Sequence, residues 1–294
     1  MFQAFLVPIL PVILIAALGA LLSRKTEWLN NPSLGAMVTN IGLPALLLHS
    51  LLSMEMDLSG MGRILLAMVA TLALSALITW PVLRLCGQSV RRYLSVLVNP
   101  NTGNLGIPVS YALLGEDALA VAVVVSSVVT ISHFTLGVSV MSGSFAPRQL
   151  LRNAPALALV LAAVLLGFEV QPPEFVMRTL DMVGGMTLPI MLLLLGRSLA
   201  ALKLGRSTQW TPLLLMSAYR PLVGLISALA VIWLLRLNEL DARVLMIQAV
   251  MPVAVISYIL TVRYEGPTER VAGLILLSMP ASFVVVGILA HFWL

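Results

Sequence analysis

Apolar residues run along this chain in long stretches, interrupted at intervals by short groups of charged, glycine and proline residues. A helix needs about 20 mostly apolar residues to cross the hydrocarbon core of a bilayer. On that measure the pattern predicts spans near 3–22, 33–53, 63–84, 94–114, 118–141, 154–168, 175–198, 209–235, 243–262 and 271–293. Connections between them are short, so a soluble catalytic domain has no room. Composition agrees: 60% of the 294 residues are hydrophobic and 10% charged, against roughly 25% charged in soluble domains. The first stretch carries no basic residue ahead of it, is longer than a signal-peptide core and lacks an evident cleavage site, so it is expected to stay as a span.

Charge separates the connections into two classes. One set holds Arg24, Lys25, Arg84, Arg91, Arg92, Arg148, Arg152, Arg197, Lys203, Arg206, Arg263 and Arg270, twelve of the seventeen basic residues. The other set has Arg63, Arg178, Arg236 and Arg243 but nine of the twelve acids, among them Glu55, Asp57, Glu116, Asp117, Glu169 and Glu174. The positive-inside rule makes the first set cytoplasmic and puts both termini outside, in the periplasm if the membrane is the inner one. The net charge of +5 is thus an effect of topology, and no nucleic-acid partner is expected. Cys86 is the single cysteine, which excludes an intramolecular disulfide and a cysteine cluster for a metal.

Five spans per half is an odd number, so a duplicated half re-enters the membrane upside down. A faint duplication is present: Leu43-Pro44-Ala45-Leu46-Leu47-Leu48 in span two against Leu188-Pro189-Ile190-Met191-Leu192-Leu193 in span seven, and Ser110-Tyr111 in span four against Ser257-Tyr258 in span nine. The expected fold is therefore an all-α polytopic membrane protein of about ten helices in two inverted five-helix repeats, residues 1–141 and 154–294, joined by a cytoplasmic linker at 142–153.

The stretch Asn99-Pro100-Asn101-Thr102-Gly103-Asn104-Leu105-Gly106-Ile107-Pro108 falls in the middle of span four. Two prolines and two glycines disfavour a continuous helix, and broken backbone at that depth must be buried in protein or line a watery cavity. Pro108 suits the first turn of a new half-helix, whose positive end would then face the membrane centre and favour an anion. The bland alternative is a packed kink. Three asparagines in one segment favour binding. Span nine offers Gln248, Pro252, Ser257, Tyr258 and Thr261, with Pro252 breaking the helix and Ser257 placed to cap the half that follows. The candidate substrate-binding set is Asn99, Asn101, Thr102, Asn104, Gly106, Pro108, Pro252, Ser257 and Tyr258.

These motifs, with His49 five residues after Pro44, Met251-Pro252-Val253-Ala254-Val255 and Ser278-Met279-Pro280-Ala281-Ser282, resemble the bacterial auxin efflux carrier family over almost the whole chain. The long cytoplasmic insertion of plant members between spans five and six is missing. The resemblance implies a fold similar to the bile acid sodium symporters, with a scaffold domain and a transport domain whose spans four and nine unwind and cross. It also implies a malonate-like carboxylate as substrate. Many relatives carry asparagine or proline at the span-nine crossing, where this chain reads Val255-Ile256-Ser257-Tyr258.

Other polar residues lie at depth. Arg220 in span eight is costly in lipid, so it is expected to face protein, as an anion contact or a structural strut. Asp181 in span seven is its candidate partner or a proton site; His49 and His133 are further candidates for proton coupling. A proton or sodium ion is the candidate coupling ion, a homodimer the candidate assembly, and no cofactor or metal is expected. A secondary carrier of a small organic anion fits best, and the resemblance implies efflux as its direction. The rivals are an anion channel or facilitator, and a membrane enzyme, for which no metal or nucleophile motif is present.

Overall fold

A computed structural model describes residues 2–53, 58–143, 154–202 and 210–293. The linker from residue 144 onward, and with it Arg148 and Arg152, lies outside the described residues, as do Glu55, Asp57, Lys203 and Arg206. Among the described residues regular structure is helical throughout. The helices are α1 (Phe2–Lys25), α2 (Pro32–Met37), α3 (Leu43–Ser53), α4 (Leu58–Leu85), α5 (Val90–Val98), α6 (Ile107–Leu114), α7 (Asp117–Ser132), α8 (Val138–Ser142) and α9 (Ala154–Gly167). They continue with α10 (Glu174–Gly185), α11 (Thr187–Ala201), α12 (Trp210–Leu235), α13 (Glu239–Ala249), α14 (Val255–Arg263) and α15 (Thr268–Phe292).

Among the described residues, six continuous helical segments are long and apolar enough to cross a membrane: Ser33–Ser53, Ser59–Leu85, Asp117–Ser142, Glu174–Ala201, Trp210–Leu235 and Thr268–Phe292. The chain is a multi-pass membrane protein. Of the other four expected spans, the first is the 24-residue α1, the sixth is α9 with only 14 residues, and the fourth and ninth are each divided into two short helices.

Three π-helical turns occur inside the helical runs, at Val38–Gly42, Thr102–Gly106 and His133–Gly137. The first two precede Leu43-Pro44 and Ile107-Pro108. Proline lacks an N–H and its ring collides with the carbonyl four residues back. A π turn just upstream re-registers the ladder, so that the Leu43 N–H donates to the Val38 carbonyl and the Ile107 N–H to the Thr102 carbonyl, each five residues back. The helix therefore accepts the proline without ending. The α-helix proper begins at Ile107 with Pro108 in its first turn, as expected, and the π turn adds helical backbone ahead of it from Thr102.

The helices pack as two bundles, each drawing on both halves of the chain. Spans one, two, six and seven (α1, α2–α3, α9, α10–α11) pack together, and α4–α8 pack with α12–α15. Side-chain bonds that tie these helices stay within a bundle: Ser75 Oγ to Ser227 Oγ at 2.9 Å, the Tyr219 hydroxyl to Thr79 at 3.1 Å and Arg91 Nε to the Met141 carbonyl at 2.9 Å in one, Arg197 to the Leu29 carbonyl at 2.6 Å in the other. Where α1 meets α6, and α3 meets α7, the bundles touch.

Candidate functional site

The two divided spans cross. After α5, Asn99 is extended (ψ 112°), and after α13 the chain is extended again at Ala254 (ψ 142°). Between these points Pro100 pairs antiparallel with Val253, and the Asn101 N–H donates to the Pro252 carbonyl at 2.8 Å. The Val253 N–H donates to Ser278 Oγ on α15 at 3.0 Å. These bonds satisfy backbone that lost its helical partners, as a low-dielectric site requires. Ala254, and not Ser257, caps α14; Ser257 sits two positions into the helix with its Oγ buried and without a protein partner.

The polar side chains around the crossing divide into engaged and free. Asn99 is fully committed: its Nδ2 donates to Ser95 Oγ at 3.1 Å and its Oδ1 accepts from Ser132 Oγ at 2.8 Å, which pins α5 to α7. Thr102 Oγ1 bonds Ser126 Oγ at 3.3 Å. Gln248 Nε2 reaches Ser110 Oγ at 3.3 Å, while its Oε1 is buried against Gly106 without a partner. Asn101, which is buried, and Asn104, half-buried, have no side-chain hydrogen bond within the described protein. The N–H groups at Thr102–Leu105 open a helical segment and so have no intrahelical acceptor.

Gly106 is where close approach demands glycine. A Cβ there would collide with the Gln248 carboxamide and lie 3.2 Å from Met251 Cγ. Because the obstacle is a side-chain end, Gly106→Ala should fold but displace Gln248, costing about 1–3 kcal/mol. A thermal-unfolding shift absent in Gly106→Ala would show that Gln248 is not held there.

A cavity of about 660 Å³ lies between the bundles. Its apolar wall is formed by Val12 and Ile15 of α1, Leu46 of α3, Leu188 and Leu192 of α11, and Pro108 and Ala112 of α6. Its mouth carries His49, Ser53, Glu116, Asp117 and Asp181. His49 Nδ1 stands 3.8 Å from Asp181 Oδ1, joining α3 to α10. Pro108, Tyr111 and Ala112 put one stripe of α6 on the cavity, and Asn104 lies in the π turn that precedes that helix.

Of the residues singled out from sequence, the structure thus brings Pro108, His49 and Asp181 to one cavity. Asn99, Asn101, Thr102, Asn104, Gly106, Pro252 and Ser257 gather at the crossing below it, and Tyr258 packs on α14. His133 sits in the π turn after α7, fully buried, with neither ring nitrogen partnered. Arg220 faces protein: it is 1% exposed and its Nη2 donates to the Ala249 carbonyl at 3.2 Å. The expected Asp181–Arg220 pair does not form, because the two residues belong to different bundles. Gln248 carries more of the crossing than span nine's sequence suggested; a glutamine four residues before a mid-span proline was the available signal.

A family model described as membrane transport protein matches the chain over residues 4–149 and 139–289. An uncharacterized transporter of Methanocaldococcus jannaschii is 26% identical over 197 residues, 64% of this chain and 63% of that protein, so the match spans less than two thirds of its length. An uncharacterized transporter of Methanothermobacter thermautotrophicus is 26% identical over 262 residues, 86% of this chain and 85% of that protein.

Proposed function

The chain belongs to the membrane transport protein family of the auxin efflux carriers, and from that premise we propose that it is a secondary carrier of a small organic anion, working by alternating access at the crossing of spans four and nine. In this reading ten spans form two inverted halves, 1–141 and 154–294, in the inner membrane, with both termini outside. The cavity is then the outward-facing vestibule.

One observation carries the choice of carrier over channel. The cavity is lined by Glu116, Asp117, Asp181 and Pro108 but by neither Asn101 nor Pro252, which bond to each other at the crossing. A channel needs a continuous path. The wall that separates the cavity from the crossing lies where two bundles meet, and apolar contacts there permit one bundle to move against the other. Negative charge is favoured by the unpaired N–H groups at Thr102–Leu105 and the positive end of the helix they begin. The acids at the mouth disfavour a bare anion, so entry with a proton is the natural coupling, and the His49–Asp181 pair is positioned in that entrance.

Counterflow in proteoliposomes tests the reading. Labelled malonate should show saturable exchange stimulated by unlabelled carboxylate on the far side. Flux linear in concentration, with no stimulation, would move the protein to the channel class. Orientation is checked in a Cys86→Ser background: an impermeant maleimide added to the periplasmic side should label Tyr111→Cys and spare Arg91→Cys. The opposite pattern would invert the topology.

A further inference from the structure

We infer that Arg220 is the residue that reads the substrate's negative charge, taking a carboxylate at a buried station behind the crossing together with His133. This deepens the carrier reading and rests on it, since it supposes that the crossing receives a carboxylate.

Arg220 lies on α12 and its guanidinium is held by the Ala249 carbonyl, the last residue of α13. Gly224, one turn along α12, permits that approach: a Cβ there would collide with the same carbonyl oxygen. Ala249 stands three residues before Pro252, whose carbonyl takes the Asn101 N–H. The guanidinium is therefore anchored at the end of α13, just ahead of the extended segment that forms the crossing.

The anchoring uses one nitrogen. Nε and Nη1 are buried and have no protein partner, and no acid pairs with Arg220 among the described residues. The negative end of α13 offers roughly half a charge. That offsets only part of the several kcal/mol that a desolvated guanidinium costs. A residue that served only to brace a helix end could do so with a neutral amide and avoid this cost.

His133 adds to the same region. It is 1% exposed with both ring nitrogens unpartnered, and its neighbour Ser132 donates to Asn99, two residues before the Asn101 that pairs across the crossing. Buried donors without a protein partner thus occur on two elements near the crossing, with Gln248 Oε1 an unpartnered acceptor. A carboxylate, with about four lone-pair sites and a full charge, is the group that matches these donors. It also explains how an anion can occupy mid-membrane, where an uncompensated charge is costly.

The test uses the full-length protein in lipid nanodiscs, with calorimetric titration of malonate and of its uncharged diamide. Wild type should prefer malonate. In Arg220→Gln malonate affinity should fall about thirtyfold or more, the loss of charge-assisted hydrogen bonds, while diamide affinity changes little, so the preference collapses. Arg220→Lys should recover part of it, and His133→Gln should weaken malonate several-fold. If Arg220→Gln does not fold, Arg220→Lys and His133→Gln are the readings, and unchanged malonate affinity in both overturns the proposal. A folded Arg220→Gln with wild-type malonate affinity also overturns it and leaves Arg220 a strut. In that case weakened binding in Asn104→Ala would keep the carrier reading standing. A wild type that binds no carboxylate overturns both.

Discussion

Gly196→Val should leave little or no assembled protein, the largest structural effect of any single change in the helices around the cavity. A Cβ on Gly196 of α11 would collide with the Ala16 carbonyl oxygen and come within 2.7 Å of the Ala20 nitrogen on α1. The reciprocal contact is as tight, because a Cβ on Gly19 would meet the Leu193 backbone, with its Cα 2.7 Å away. Helices in a bilayer gain little from hydrophobic exclusion and associate instead through backbone approach at small residues. At Gly106 the obstacle is a flexible carboxamide; at Gly196 it is the backbone of a second helix, which cannot retreat without separating α1 from α11. The cost should exceed the 1–3 kcal/mol or so of ordinary overpacking. The same two helices present Val12, Ile15, Leu188 and Leu192 to the cavity, so their separation would also dissolve its wall. Gly62→Ala is the matched control, since a Cβ there meets nothing within 4 Å. Size-exclusion profiles and thermal midpoints of the two variants read the difference. A Gly196→Val protein that melts within a few degrees of Gly62→Ala would show that α1 and α11 are not in backbone contact.

Much of this arrangement could be read from local chemistry. Pro100 and the glycines around it predict that span four cannot stay helical, and the chain does leave the helix at Asn99–Asn101. Pro252 does the same for span nine. What local chemistry did not supply was the π turn ahead of Pro108. Pro108 looked like a helix start because a missing N–H is free there, and it does lie in the first turn of α6, yet helical backbone already begins at Thr102. A signal for this was present: Asn40-Ile41-Gly42-Leu43-Pro44 and Asn104-Leu105-Gly106-Ile107-Pro108 share one pattern, and both carry a π turn ending on the glycine. Tertiary facts were out of reach. That Asp181 meets His49 and Arg220 meets a carbonyl depends on which helices share a bundle, and the bundles draw from both halves of the chain. Asn99 shows the same limit, since it stands only two residues from Asn101 in the same broken segment while its side chain is spoken for at both ends.

That contrast among the asparagines gives the strongest functional expectation. Asn101 and Asn104 should be needed for binding and dispensable for folding, and Asn99 the reverse. Asn101 is buried at the crossing and Asn104 half-buried in the π turn just ahead of α6, and neither side chain has a partner to lose. A substrate carboxylate at the helix start would accept from their amides beside the free N–H groups of Thr102–Leu105. Each amide that bonds a charged ligand contributes about 1.5–3 kcal/mol. Asn104→Ala should therefore weaken carboxylate binding about tenfold to a hundredfold, and Asn101→Ala with Asn104→Ala together by more, with thermal midpoints near wild type in the absence of substrate. Asn99→Ala removes a donor from Ser95 and an acceptor from Ser132 in a dry site, so it should lower the midpoint by several degrees; its effect on affinity should be the smaller part. Pro108→Ala should leave affinity nearly intact, because helical backbone already resumes upstream of it. Titration of each purified variant in nanodiscs, alongside its melting curve, separates these outcomes. Affinity unchanged in the Asn101→Ala, Asn104→Ala double variant would take the substrate away from the crossing and leave the broken span as a hinge alone.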